Sequence, residues 1–184
     1  MARKRNLYDP SSPEPYRLSR SKLEDFLRCP RCFYLDRRLG VAQPPGFPFN
    51  LNSAVDELLK REFDGYRERQ EPHPLFKEHD IDAVPFAHPD IDDWRNNFKG
   101  IRYKDNEKNY NFGGAIDDVW IKPNGDLIIS DVKATSKKVF NWEETKKMPW
   151  GQGYKRQLEM YQWLFRKNGF KRLSLGEETA LEPY

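Results

Sequence analysis

Residues 113–133 read GGAIDDVWIKPNGDLIISDVK, and this stretch decides the fold because it predicts a β-hairpin. Two runs rich in Ile, Val and Leu flank a short polar turn, which is the usual pattern of two paired strands. In the turn, Pro123 suits the first central position of a type I turn, Asn124 the second, and Gly125 the left-handed residue that follows. This order favours a three-residue hairpin loop.

The loop determines which residues of the two strands face each other. Counting back from it places Asp117 opposite Asp131, and period-2 alternation puts both on one face with Lys133. The rest of that face is apolar: Val119, Ile121, Leu127 and Ile129. A shorter Asn-Gly loop stays open as an alternative, and it would place Asp118 opposite Asp131 instead.

The charged side chains at the end of this face predict a metal site. Facing carboxylates repel each other unless positive charge lies between them, and a divalent cation provides it. Mg²⁺ typically takes one or two carboxylates, water and substrate phosphate as ligands. Lys133 would then hold an attacking water or the phosphate. An ordinary ion pair between Asp and Lys at the end of a hairpin is the competing interpretation.

Composition sets broader limits. The chain has 184 residues, of which 37% are apolar and 33% charged, and this length suits one domain. The net charge of +3 permits nucleic-acid binding without requiring it, and Arg3-Lys4-Arg5 is interpreted as a solvated tail. No apolar run is long enough to span a membrane, and the N-terminus lacks the apolar segment of a secretory signal. We expect a cytoplasmic protein with no membrane partner.

Helices are predicted on both sides of the hairpin. Ser19 and Ser21 offer N-cap hydroxyls to a first helix, and Pro30 ends it or starts a second. A long helix is predicted over 51–68, with a buried stripe of Val55, Leu58, Leu59, Phe63 and Tyr66. Further helices are predicted over 91–98 and 154–167, a loop over 44–48, and strands over 100–104, 109–121 and 126–133.

Four short motifs occur in order along the chain. Ser19–Tyr34 ends in C-P-R-C-F-Y, Gly114–Asp117 reads G-A-I-D, Asp131–Lys133 reads D-V-K, and Gln157–Tyr161 reads Q-L-E-M-Y. In order and spacing they resemble the PD-(D/E)XK nuclease superfamily, most closely its RecB-like branch, which includes the exonucleases of CRISPR adaptation. The resemblance covers roughly residues 18–168.

The resemblance implies a fold and a division of the chain. The fold is α/β (α+β): a restriction-endonuclease-like core with a small mixed sheet flanked by helices, and extra N-terminal helices. The nuclease domain would cover residues 18–170. A disordered polar lead over 1–17 would precede it, and an atypical C-terminal tail over 171–184 would follow.

The resemblance also implies roles for the hairpin residues. Asp117, Asp131 and the backbone carbonyl of Val132 would bind Mg²⁺ or Mn²⁺. Lys133 would orient or activate the attacking water. These roles agree with the chemistry expected from the facing carboxylates alone.

Helix residues complete the implied site. Gln157 and Tyr161 lie four residues apart, so they share a helix face and would line the site; a packing stripe with a polar edge is the alternative. RecB-like nucleases usually carry a His on the helix before the strands, and Asp56 stands in that place here. A carboxylate ligates a hard cation as well as His does, so Asp56 is a candidate third ligand. A solvated charge is the alternative.

Two further departures from the family concern the cysteines and the end of the chain. Several relatives hold an iron–sulfur cluster with four Cys, but this chain has only Cys29 and Cys32, so an intramolecular cluster is excluded. We interpret the pair as structural. After the Gln–Tyr helix, only Leu173–Leu175 suits the short edge strand that the family fold continues into.

The sequence therefore predicts a metal-dependent deoxyribonuclease acting on single- or double-stranded DNA, with a protein partner in a repair, replication or CRISPR-type complex as a further expectation. The rival is a catalytically idle nuclease fold that only binds DNA or a protein. A zinc-binding module would need ligands that are not near the two cysteines. The central aromatics are interpreted as core, with base stacking as the alternative: Trp94, Phe98, Tyr103 and Tyr110.

Overall fold

The computed structural model describes residues 6–44, 50–133 and 141–174, and within the first turn of the helix at 50–53 it describes the backbone only. Three predicted features lie wholly or largely outside these residues: the Arg3-Lys4-Arg5 cluster, the loop over 44–48, and the tail from Leu175 onward. The chain divides into two compact units.

The first unit comprises Met1–Pro48 and Arg102–Gly114. Its sheet has the order β1-β4-β3, with β1 parallel to β4, and two helices accompany it. The elements are β1 (Tyr16–Ser19), α1 (Arg20–Arg28), α2 (Pro30–Arg37), β3 (Ile101–Asp105, whose first residue belongs to the second unit) and β4 (Tyr110–Gly114). The Ser19 side chain accepts a hydrogen bond from the Lys22 backbone N–H, and Pro30 begins α2. Both predicted helix signals are therefore confirmed.

The second unit comprises Phe49–Ile101 and Ala115–Tyr184. Its sheet has the order β2-β5-β6, and both pairings are antiparallel. The elements are α3 (Asn50–Arg69), α4 (Pro74–Glu78), β2 (Val84–Pro85), α5 (Ile91–Arg95), β5 (Asp118–Ile121), β6 (Leu127–Ser130), α6 (Trp142–Thr145) and α7 (Pro149–Lys167). The fold is thus mixed α/β with helices flanking the sheets, which confirms the predicted fold class, and it has two small sheets where one was expected.

The hairpin of β5 and β6 has the predicted register. Ile121 pairs with Leu127, and the remaining pairs follow to Asp118 with Ser130. At the turn, the Lys122 N–H donates to the Asp126 carbonyl over 2.9 Å, and Gly125 has a φ of +85°. The longer loop is therefore correct. Continuing the register by one residue places Asp117 opposite Asp131.

The predicted strand over 109–121 is wrong, because it is two strands in different sheets. Residues 115–117 leave the ladder, and the Ile116 N–H donates instead to the Trp94 carbonyl over 3.1 Å. The strand predicted over 126–133 also ends early, at Ser130. Both interruptions fall at the residues predicted to carry the site.

The core of the second unit lies on both faces of β5. Val119 and Trp120 point to opposite faces, and both are buried. Trp120 packs in a cluster with Phe63, Phe76 and Ala83. Leu58, predicted in the buried stripe of α3, is 64% exposed, whereas Phe63 of the same predicted stripe is buried in the core.

Helix α7 begins at Pro149, five residues before the predicted start at Tyr154. Pro149 supplies a favourable first helical position, since its missing N–H has no intrahelical partner there. Gly151 allows this turn to approach α6, because a Cβ at this position would clash with the Thr145 carbonyl oxygen. The early start extends the helix face that carries Gln157.

Two other predicted features are partly confirmed. Helix α5 ends at Arg95, three residues before the predicted end. Leu173 forms an isolated parallel bridge with Leu127, where an edge strand was expected. Within the described residues, no helix combines the length and apolar character that crossing a bilayer requires.

Candidate metal centre

Asp117 and Asp131 lie where the hairpin pairing stops. The Asp117 carboxylate accepts a hydrogen bond from the Val132 N–H over 2.7 Å, so a side chain replaces the next backbone bond of the ladder. This contact links Asp117 to the residue directly after Asp131. Burial raises the pKa of Asp117 above its usual value, and the nearby charge of Asp131 raises it further. The two carboxylates are thus close enough to repel each other.

Lys133 lies beside Asp131. Its ammonium forms an ion pair with the Asp131 carboxylate and donates to the Val132 carbonyl over 3.3 Å. The Asp131 side chain is 5% exposed, while that of Lys133 is 36% exposed. The lysine therefore connects a buried carboxylate to solvent.

Helix α7 contributes Gln157 and Tyr161, both buried. The Gln157 amide nitrogen donates to Asp131 over 2.6 Å and to the Tyr161 hydroxyl over 3.1 Å. An amide nitrogen has two protons, and both are used here. Gln157 therefore binds Oδ1 of Asp131 while Lys133 pairs with Oδ2, and Tyr161 accepts the second amide hydrogen bond of Gln157.

Helix α3 carries Asp56, and Lys60 of the same helix links it to the hairpin. Lys60 was not among the predicted site residues. Lys60 Nζ lies 2.8 Å from Asp56 Oδ2 and 3.5 Å from Asp117 Oδ1. It therefore bridges the candidate third ligand and a hairpin carboxylate. The signal was present, because Lys60 follows Asp56 by four residues, the spacing at which helix side chains meet.

Asp118, the alternative partner of Asp131, belongs to a different arrangement. It is 3% exposed and forms an ion pair with Arg67 of α3. Its carboxylate also accepts the Val119 N–H over 2.8 Å. Burial raises the pKa of Asp118, while the guanidinium of Arg67 opposes that rise. Asp118 is therefore committed to the interior of the unit.

The donor set suits a hard cation. Asp56 Oδ1 is buried and accepts no hydrogen bond from the described part of the chain, and such an orphaned oxygen favours a positive ligand. Burial is the largest cause of the raised pKa of Asp117, and the negative charge of Asp131 adds to it. Among the described residues, however, no three His, Cys, Asp or Glu side chains are grouped closely enough to hold a metal ion. The ammonium of Lys60 lies between two of the candidate carboxylates.

The two cysteines make local contacts in the first unit. Cys29 caps α2, and its sulfur accepts the Cys32 N–H over 3.2 Å. The Cys32 thiol donates to the same sulfur over 2.8 Å. These hydrogen bonds lower the pKa of Cys29. The capping contact agrees with the structural interpretation.

The central aromatics differ in their surroundings. Trp94 is buried and stacks against the ring of His88 at 4.4 Å, so it belongs to the core. Phe98 is 64% exposed, and Tyr103 is half-buried. Tyr110 lies within 6.5 Å of the Tyr8 ring in the first unit. The core interpretation is therefore correct for Trp94 and wrong for Phe98.

The family model of the PD-(D/E)XK nuclease superfamily matches residues 48–181. The match covers most of the chain, including the hairpin, α3 and α7, and the chain belongs to this superfamily. No curated protein and no solved structure matches the chain.

Proposed function

We propose that the protein is a Mg²⁺- or Mn²⁺-dependent nuclease that hydrolyses phosphodiester bonds in DNA. Membership of a nuclease superfamily supports this. The observation that carries it is the set of contacts around Asp131. Lys133 pairs with its carboxylate, and Gln157 of α7 donates a hydrogen bond to it. Asp117 accepts a hydrogen bond from the adjacent Val132 N–H. Ion pairing alone would not need a buried amide directed at the same carboxylate.

The residues that would hold the cation are Asp117, Asp131 and the Val132 carbonyl, with Asp56 as a third carboxylate. Carboxylate and carbonyl oxygens are the donors that hard cations prefer. A bound cation at such a site acts as a Lewis acid toward phosphoryl oxygen and lowers the pKa of bound water.

Lys133 would act on the attacking water and on the charge of the phosphate. An ammonium has three donors and no acceptor, so it orients a water through the oxygen lone pair and leaves the water's protons directed away. Its partial exposure leaves it reachable from solvent. Lys133 also places positive charge where the phosphoryl oxygens gain negative charge.

Gln157 and Tyr161 would act as positioning residues. The two amide protons of Gln157 fix Asp131 relative to Tyr161, which limits rotation of the carboxylate. A ligand held in one orientation loses less entropy when it binds a cation. Helix α7 would thus fix the orientation of the Asp131 carboxylate at the end of the hairpin.

The test is cleavage of labelled single- and double-stranded DNA in Mg²⁺ and in Mn²⁺. We expect cleavage by the wild type and none by Asp131→Ala or Lys133→Ala. The matched control is Lys122→Ala, which removes a lysine from the other end of the same hairpin and should cleave like the wild type. Undiminished cleavage by Asp131→Ala would exclude this site as the source of activity.

The second candidate is an idle nuclease fold that binds DNA without cutting it. The Lys60 bridge favours it, because an ammonium between Asp56 and Asp117 neutralises these carboxylates without a metal. Two measurements separate the two functions. An idle fold binds DNA and leaves it intact in both metals, with no heat of Mn²⁺ binding in a calorimetric titration.

A further inference from the structure

Helix α7 continues past the site as an aromatic surface. Trp150, Tyr154, Gln157 and Tyr161 follow each other at spacings of four, three and four residues, so they lie along one helix face. Gln157 and Tyr161 are the buried end of this face. Trp150 is the outer end and is 45% exposed. The same stripe that supports Asp131 therefore emerges at the surface as two rings.

The two rings connect to the site through direct contacts. Lys133 Nζ lies 5.4 Å from the centroid of the Tyr154 ring, within the range of a cation–π contact. The Trp150 and Tyr154 centroids are 5.7 Å apart, with the rings at 72°. Since Lys133 also pairs with Asp131, contacts run without a break from the carboxylate to Trp150.

The dimensions match a short run of nucleotides. From Trp150 to Tyr154 the helix rises about 6 Å, at 1.5 Å per residue. Stacked nucleotides advance about 3.4 Å each along a strand, so the two rings span roughly two of them. A phosphate at Lys133 would leave the neighbouring bases beside Tyr154 and Trp150.

The charge of α7 also suits a polyanion. Over Pro149–Lys167 it carries four basic residues and one acidic residue: Lys155, Arg156, Arg166, Lys167 and Glu159. Net positive charge along one element attracts the phosphate backbone regardless of sequence. Aromatic rings beside such a helix are the usual combination in proteins that bind single strands.

We propose that Trp150 and Tyr154 form a stacking platform for unpaired bases, and that the substrate class is single-stranded DNA. The role of the platform in holding a substrate rests on the proposed nuclease function, but the DNA-binding experiment does not depend on cleavage. Inside a duplex each base is covered by its neighbours, so only unpaired bases offer a free ring face to a protein. The platform would place a single strand with its phosphate at Lys133.

The experiment measures DNA binding in EDTA, where no metal-dependent cleavage interferes. The probes are a fluorescein-labelled oligo(dT) strand of about 15 nucleotides, within the site sizes of single-strand binders, and a duplex of equal length. Anisotropy gives the Kd of each for the wild type, Trp150→Ala, Trp150→Leu and Trp150→Phe. Trp150→Leu keeps apolar bulk without a ring, and Trp150→Phe keeps a ring.

Trp163 provides the matched control. It lies on the same helix with 39% exposure and contacts Lys167 at 5.7 Å. Thirteen residues turn an α-helix by about 220° relative to Trp150, so Trp163 faces away from the platform. Trp163→Ala removes an exposed ring of the same kind from the same element.

We expect Trp150→Ala and Trp150→Leu to weaken single-strand binding about 5- to 20-fold, the loss of one stacked base. Trp150→Phe should retain most of the affinity, and Trp163→Ala all of it. Duplex binding should change less than about twofold in every variant. Thermal unfolding of each variant separates a lost ring from a lost fold.

An equal loss for both probes, or an equal loss in Trp163→Ala, overturns the platform. So does a change from dimer to monomer in Trp150→Ala by light scattering, because Trp150 would then serve self-association. If single-strand binding falls as expected but no variant or wild type cuts DNA, the platform stands and the nuclease proposal fails. If the wild type cuts DNA and Trp150→Ala binds both probes normally, only the platform fails.

Discussion

The side-chain amide of Gln157 donates to Asp131 Oδ1 over 2.6 Å, joining α7 to the end of β6. The residues are 26 positions apart, and both side chains are buried. A buried amide–carboxylate contact is costly to break because both groups then lose their partners. The position of α7 therefore determines how the Asp131 carboxylate is oriented at the end of the hairpin.

Gln157→Ala should lower DNA cleavage about 10- to 100-fold, as expected when a group that orients a metal ligand is lost. Affinity for Mn²⁺ should fall as well, because Asp131 would be free to rotate. The measurements are cleavage rate at saturating metal and Mn²⁺ titration. Gln162→Ala on the same helix serves as the control, since the Gln162 side chain accepts an exposed hydrogen bond from Arg166 and lies outside the contacts to Asp131. Equal effects of both changes would show that the helix, not the amide, is responsible.

Lys60→Met should tighten Mn²⁺ binding about 3- to 10-fold, because a positive charge within a few ångströms of the ligands opposes a cation. The metal-free protein should become less stable, since Asp56 and Asp117 lose their shared counterion. Calorimetric titration and urea unfolding measure the two effects. Lys99→Met, which breaks an exposed pair with Asp93, should change neither. Weaker Mn²⁺ binding in Lys60→Met would mean that the lysine supports the site instead.

Arg67→Met should destabilise the protein by about 3–5 kcal/mol, the usual cost of leaving a buried charge without its partner. Burial already raises the pKa of Asp118, so its charged form is the costly one. The unfolding free energy of the variant should therefore increase as pH falls from neutral toward that raised pKa. Adding Asp118→Asn should restore part of the loss and remove the pH dependence. No recovery in the double variant would place the cost elsewhere, for example at the Phe86 carbonyl that Arg67 also bonds.

Two glycines in helices should respond to alanine in opposite directions. Gly151→Ala should cost about 1–3 kcal/mol, as overpacking does, because its Cβ would clash with the Thr145 carbonyl oxygen. Gly65→Ala should stabilise α3 by about 0.5–1 kcal/mol through helix propensity, since its Cβ would lie 3.5 Å from the flexible end of Arg69. Urea unfolding of both variants gives the comparison. Stabilisation by Gly151→Ala would contradict the close approach of α7 to α6.

Cleavage should fall at acidic pH through Asp117, whose pKa is raised by burial and by Asp131. A raised pKa means that the folded, metal-free protein takes up this proton before the unfolded chain does, so its stability rises as pH falls through that range. Metal binding needs the carboxylate and weakens over the same range. Tenfold more Mg²⁺ should move the acidic limb of activity down by about one pH unit if one proton competes with one cation. If the acidic limb stays at the same pH when the Mg²⁺ concentration rises, a group other than Asp117 is responsible for it.

The turn and register of the hairpin were predictable because they depend on neighbouring residues. Pro123, Asn124 and Gly125 specify the loop locally, and the pairing of Asp118 with Ser130 follows by counting. Helix α3 was equally readable, because its apolar spacing extends over many turns. Local signals of this kind do not depend on where the rest of the chain lies.

The break before Asp117 was not predictable from its neighbours. It depends on Ile116 bonding to Trp94, which is distant in sequence and belongs to another element. The exposure of Leu58 is similar, since the spacing of α3 fits two adjacent faces and only tertiary packing selects one. Lys60 was overlooked for a different reason: a lysine four residues after an aspartate usually signals surface pairing.

Asp117 and Asp118 are adjacent in sequence, yet their carboxylates have different partners. The Asp117 carboxylate, just before β5, contacts Lys60 and the Val132 N–H, and the Asp118 carboxylate pairs with Arg67. Substitution of Asp117 should leave a folded protein without cleavage activity. Substitution of Asp118 should lower the amount of folded protein. Under the proposed function, one substitution at Asp117 would therefore remove cleavage and leave the fold intact, which would turn a nuclease into a domain that only binds DNA.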